Sequence, residues 1–255
     1  MKRIFVCGAL ITCLGATRMW ATPSASPCPA TSTELSTYLA SGFTCQVGDK
    51  VFSNFEYSDS SSGGANAIGA SGVMVETVGP TASGAEVGGL NIGLQFNASW
   101  SAGPQQSTDS NISFAVTVIT GSNMLITDTG LAQSSGVTAG NGSVAEVTED
   151  ACAPAIQDGY PCTPSFQAAL TFDKGSADQI IATDPPLSTP TGSIFVSKDI
   201  SIVDSDALGT MNSTAGISLV TDTFSQTGVP EPTTMLLVGA ALCGIALIRR
   251  RSRKS

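Results

Sequence analysis

The sequence predicts an all-β ectodomain: an antiparallel β-sandwich, jelly-roll-like, with one short N-terminal helix and an apolar segment at each end of the chain. Three observations carry this. Apolar residues recur with period two, as in Ile92, Leu94, Phe96, Ala98 and Trp100, which alternate with Asn91, Gly93, Gln95, Asn97 and Ser99. Such alternation marks strands with one packed and one wet face. Clusters of Gly, Ser, Asn and Pro separate the runs, and no long helical pattern lies between them, which argues against an α/β fold.

From the N-terminus, residues 1–21 read as a signal peptide. Lys2 and Arg3 precede a 13-residue apolar run, Ile4 to Ala16, followed by the small residues Ala16, Ala21 and Ala25 as cleavage candidates. As a helix that run spans only ~20 Å, short for a bilayer core of ~30 Å. Signal peptidase is the implied partner. Residues 22–228 form the secreted β-sandwich domain. Within it Thr31, Ser32, Thr33 and Glu34 have the form of a capping box, Leu35, Tyr38 and Leu39 share one helical face, and Gly42 suits the C-terminal stop.

The period then changes to two. Beside the run at 92–100, alternation recurs at Ile112-Phe114-Val116-Val118, Phe166-Ala168-Leu170-Phe172 and Ile200-Ile202. Further β-like runs lie at 51–57, 72–78, 124–128, 143–148, 193–197 and 216–224, giving about nine to ten strands. Small-residue stretches at 58–72, 79–89 and 184–192 read as loops within one domain.

Cysteine usage fits an oxidising compartment. Cys7 and Cys13 fall in the signal and Cys243 in the C-terminal apolar run, leaving Cys28, Cys45, Cys152 and Cys162 as disulfide candidates. Four cysteines admit three connectivities. The local pairs Cys28–Cys45 and Cys152–Cys162 are preferred, each stapling one loop; a loop of about 15 residues gains ~3 kcal/mol.

The 255 residues carry 11 Lys and Arg, 20 Asp and Glu and no histidine, a net charge of −9. Eight of the basic residues are terminal, so the ectodomain holds three lysines (Lys50, Lys174, Lys198) against 19 acids, a net charge of −16. That balance argues against a nucleic-acid binder, which would need a basic face. Lack of histidine removes every Ser-His-Asp, Cys-His and His-zinc mechanism. Glycoside hydrolysis needs only two carboxylates, and Glu56, Glu76, Glu86, Glu146, Glu149 and Asp173 are candidates, but none sits in a motif that fixes its geometry. No catalytic residue is assigned and the chain is not expected to be an enzyme. Asp204 and Asp206, with Gly209, form half of a calcium-loop pattern; the fifth position lacks an oxygen ligand and the twelfth is Ala215. Calcium is therefore the one weak cofactor candidate, and no other metal site is expected. Carbohydrate binding wants exposed aromatic rings. Trp100 falls on the apolar face, and Phe52, Phe55 and Tyr57 read as core.

At the C-terminus, Pro230, Glu231 and Pro232 lead into a mostly apolar run from 233 to 248, then Arg249, Arg250, Arg251, Arg253 and Lys254. The 16-residue run gives about 24 Å of helix, a short transmembrane span, and the basic cluster would stay cytoplasmic. This order (Pro-Glu-Pro, span, basic tail) resembles the PEP-CTERM sorting signal of bacterial exported proteins, over residues 229–255. The resemblance implies recognition and processing near Pro230, Glu231 and Pro232 by an exosortase, with the basic tail as cytoplasmic stop. It further implies a membrane-anchored precursor that becomes a cell-surface or extracellular protein associated with exopolysaccharide. The stretch from Cys28 through Leu35, Tyr38, Gly42 and Cys45 into GDKVFSNFEY, residues 48–57, resembles the start of a recurring type of PEP-CTERM ectodomain and supplies no site. The function so implied is a non-enzymatic structural or interaction role in surface or biofilm matrix; a carbohydrate- or calcium-binding module is the alternative and a carboxylate-pair glycosidase a remote one.

Overall fold

Alternating segments bury one side only when another layer covers it, and here two large sheets cover each other. A computed structural model describes residues 25–79, 92–139, 142–152, 166–172, 177–183, 186–205 and 213–228. The expected signal peptide and the span at 233–248 lie outside the described residues. Among the described residues no helix is long and apolar enough to cross a membrane.

The larger sheet has seven strands in the order Ser26–Pro27 (β1), Thr44–Val47 (β3), Lys50–Ser62 (β4), Gln106–Val118 (β7), Ser193–Asp204 (β14), Ser143–Cys152 (β10) and Phe166–Phe172 (β11). The second has six, ordered Ala177–Thr183 (β12), Gly130–Ala139 (β9), Thr214–Phe224 (β15), Ile92–Ala102 (β6), Met74–Val78 (β5) and Thr33–Glu34 (β2). A smaller sheet joins Pro186–Thr191 (β13), Met124–Asp128 (β8) and Gln226–Gly228 (β16). The long strands pair antiparallel, while β1 and β3 run parallel. The all-β prediction is met.

Between the two large sheets lies one apolar core. Phe114 of β7 meets Phe96 and Phe224 of the facing sheet at ring-centroid distances of 5.9 and 6.3 Å. The alternation of β6 is realised as predicted: Ile92, Leu94, Phe96, Ala98, Trp100 and Ala102 are all buried. Two irregularities reset the phase elsewhere. In β4 a register shift between Ser53 and Glu56, with Asn54 at φ 53°, lets both Phe52 and Phe55 face inward although they are three residues apart. In β15 a shift between Ile217 and Leu219 turns both Ile217 and Val220 into the core, and Asp222 and Phe224 follow Val220.

Several boundaries differ from the prediction. Residues 58–62 extend β4, paired with β7 through Ser62↔Ser107, so the small-residue loop begins later. Residues 186–191 form β13 rather than loop, and the runs at 193–197 and 200–202 are one strand, β14. β9, β12 and β16 had no apolar alternation to announce them, and β3 only the pair Cys45 and Val47; neighbouring backbones recruit them. The capping box does not form. Thr33 and Glu34 pair with Val75 and Met74, so the helix α1 is only Leu35–Tyr38, with Glu34 as N-cap and no side-chain cap. Leu35 and Tyr38 nonetheless bury the predicted face, and Gly42 takes the left-handed φ of +73°. The Cys28–Cys45 disulfide forms as preferred, tying the chain on either side of α1.

Candidate functional site: a buried charged cluster between the sheets

The densest chemistry among the described residues is inside the sandwich. Lys198 on β14 and Glu149 on β10 are directly opposite in the larger sheet. Both lie in the inward phase of their strands, among Val196, Ile200, Val147 and Ala151. Asp222 reaches them from β15 of the second sheet, because the phase shift after Ile217 has turned it inward. All three are 0% exposed. The Lys198 Nζ lies 3.4 Å from Glu149 Oε2 and in direct contact with Asp222 Oδ2. Thr129, also buried, donates its hydroxyl hydrogen to Glu149 Oε1 and so fixes that carboxylate.

Aromatic rings complete the walls. The Lys198 ammonium sits 4.8 Å from the Phe114 centroid and 5.6 Å from that of Phe96, a cation–π arrangement in a dry core. Burial pushes the Asp222 carboxyl well above the ordinary carboxylate range; the Lys198 charge opposes that shift and the Glu149 carboxylate adds to it. One ammonium and two carboxyls are then neutral overall when a single proton stays on Asp222. Close approach of the strands is required here: a Cβ on Gly93 would overlap the Asp222 carbonyl oxygen.

A second buried cation, Lys50, opens β4. Its ammonium donates to Gln226 Oε1 at 3.2 Å and to Asp49 Oδ1 at 3.4 Å, linking the large sheet to the small one. Burial lowers its pKa, against the pull of Asp49.

The outer face of the larger sheet is acidic. Asp109, Ser201 and Glu146 lie in one cross-strand row, with Asp199 beside it. Partial burial, then the Asp109 and Glu146 carboxylates, raise the Asp199 carboxyl to about 6. Among the described residues no group of three or more His, Cys, Asp or Glu is placed to hold a metal ion.

Of the residues singled out from sequence, Pro230, Glu231, Pro232, Arg249, Arg250, Arg251, Arg253, Lys254, Cys162 and Asp206 lie outside the described residues, as do Glu86 and Asp173. Cys152 is disulfide-bonded. Asp204 is buried as the last residue of β14, opposite Ser143 and Gln106. Trp100 is core, its indole N–H donating to Ser110 Oγ at 3.2 Å. Phe52 and Phe55 are core as well, and Tyr57 is half-buried, its hydroxyl donating to the Ile68 carbonyl. Glu56 and Glu146 stand in the outward phase of the larger sheet, while Glu149, alone of the four of these acids that are described, enters the cluster. Lys198, Asp222 and Thr129 were not anticipated. The signal for Lys198 was present: a rare lysine in the apolar phase of a strand.

The fold and its sealed centre define a β-sandwich protein with a charged cluster buried between its two large sheets. Residues 228–252 match the PEP-CTERM protein-sorting motif family, and the chain is a protein bearing that sorting signal. The motif implies an exported protein with an exosortase as processing partner. No curated protein matches the chain in sequence. Among solved structures, that of TmCBM61 in complex with beta-1,4-galactotriose is similar at a TM-score of 0.30 and 10% identity, covering 68% of this chain and 88% of that chain. A likeness of that strength assigns no ligand.

Proposed function

We propose that the chain is a non-enzymatic structural or interaction protein of the bacterial surface or extracellular matrix, linked to exopolysaccharide or biofilm. Signal peptidase removes residues 1–21, the segment at 233–248 anchors the precursor, and exosortase cuts near Pro230, Glu231 and Pro232. The sorting motif at 228–252 is the observation that carries this reading. The buried charges add support for a non-catalytic role, since Glu149 and Asp222, the one carboxyl pair drawn together in the described core, are closed to a polysaccharide.

Mass spectrometry of the mature C-terminus is the test, paired with fractionation of a chain lacking residues 229–255. A mature end near residue 230 and altered fractionation on deletion are expected. An intact C-terminus through Ser255 in the surface fraction, with unchanged fractionation of the deletion, overturns the reading.

A further inference from the structure

We infer that Lys198 and Asp222 are joined by an intramolecular amide bond that ties the two sheets together, formed within the folded core with Glu149 as the proton carrier. The bond goes beyond the sorting reading and does not depend on it.

The geometry supplies each requirement of the condensation. The amine nitrogen of Lys198 already touches an oxygen of the Asp222 carboxyl whose Cγ it would attack, on strands of opposite sheets. A base stands 3.4 Å from the amine, held by the Thr129 hydroxyl. Amide formation in bulk water is opposed by the solvent, but here the reacting groups are 0% exposed, walled by Phe96 and Phe114. Reacting groups held at contact in one orientation can reach effective molarities of about 10⁵–10⁸ M. A buried ion pair carries a large desolvation cost, which a neutral amide does not.

The step balances without any co-reactant. Glu149 takes a proton from the Lys198 ammonium, and the freed lone pair of Nζ attacks Cγ of Asp222, which enters as the carboxylic acid. The Nζ–Cγ bond forms and a Cγ–O bond breaks. One further proton leaves Nζ, one reaches the departing hydroxyl, and a single water is released. Glu149 ends as the neutral acid beside a neutral amide. No electron is transferred, and net charge is zero before and after. Burial favours the acid form of Asp222 that this step consumes.

The experiment is intact mass measurement of the purified full chain, followed by peptide mapping after reduction. The wild type is expected to be lighter than its processed sequence by one water, beyond the hydrogens lost to disulfides. Trypsin should leave the Lys198–Asp199 bond uncut, and a branched peptide should join the segments around Lys198 and Asp222. Glu149→Ala should retain both reacting residues yet show the full mass. Asp222→Asn should close by losing ammonia instead of water, a change that a merely structural ion pair does not produce. A folded wild-type chain of full mass, cleaved by trypsin after Lys198, overturns the inference without reference to any variant.

Discussion

At the scale of single residues, Asp199 shows how a low-charge surface can still be electrostatically crowded. Its carboxyl, raised to about 6, lies on the outer face of the larger sheet near Asp109 and Glu146. A carboxyl whose folded pKa exceeds its unfolded value binds more protons in the native state across that interval. Stability from this group is therefore present below about pH 4 and lost as pH rises toward 6. Asp199 is only partly buried, so screening shrinks the effect. Asp199→Asn is expected to raise the melting temperature at pH 7 by a degree or two, on the order of a fraction of 1 kcal/mol for a chain of this size, and to change it little at pH 4. Melting curves at the two pH values decide this; an equal shift at both, or a loss at pH 7, contradicts it.

At the scale of elements, the phase shifts of β4 and β15 control which side chains reach the core. Much of the fold was legible. The strict alternation of β6 and the run at Ile200-Ile202 name their buried residues without help. The buried cluster was only half legible. Glu149 and Lys198 stand in the apolar phase of β10 and β14, so the pattern alone exposes them as misfits. Asp222 does not: counted in twos from Ile217 it falls on the wet face, and only the register shift beyond Ile217 turns it inward. No local residue choice announces that shift. Failure of the capping box has the same cause, since Thr33 and Glu34 were claimed by a long-range pairing with β5.

The same scale carries two stability predictions. Gly93 of β6 runs so close to β15 that an added methyl would strike the Asp222 carbonyl, and a backbone atom cannot step aside as a flexible side chain would. Gly93→Ala should destabilise by about 1–3 kcal/mol or more, read by chemical denaturation, with an unchanged midpoint refuting the close approach. The Cys28–Cys45 bond closes a loop of sequence separation 17 around α1. Replacing both cysteines by serine is expected to cost about 3 kcal/mol, while leaving the long strands of both sheets in place by circular dichroism. A loss near zero would show that β1, β3 and α1 are held by packing of Leu35 and Tyr38 alone.

At the scale of the whole molecule, the basic residues gather at the two ends of the chain and the acids in its middle. The chain total of −9 includes basic residues of the two terminal segments; residues 22–228 alone carry −16. Two of the three lysines there, Lys50 and Lys198, are buried, so the acids on the outside have few surface cations to offset them. Self-repulsion of that kind opposes the compact state and is screened over a Debye length of about 10 Å at 0.1 M salt and about 3 Å at 1 M. The ectodomain should therefore gain stability as sodium chloride rises from low millimolar levels to about 0.5 M at pH 7, by several degrees in melting temperature. Lowering the pH to 4 protonates part of the acidic surface, so the same salt step should then give a smaller gain. The buried Lys198–Glu149–Asp222 cluster lies beyond the reach of salt and cannot contribute to the difference. If the gain were equal at both pH values, general salting-out and not charge repulsion would be its source, and the acidic exterior would lose its claim to set the protein's solution behaviour.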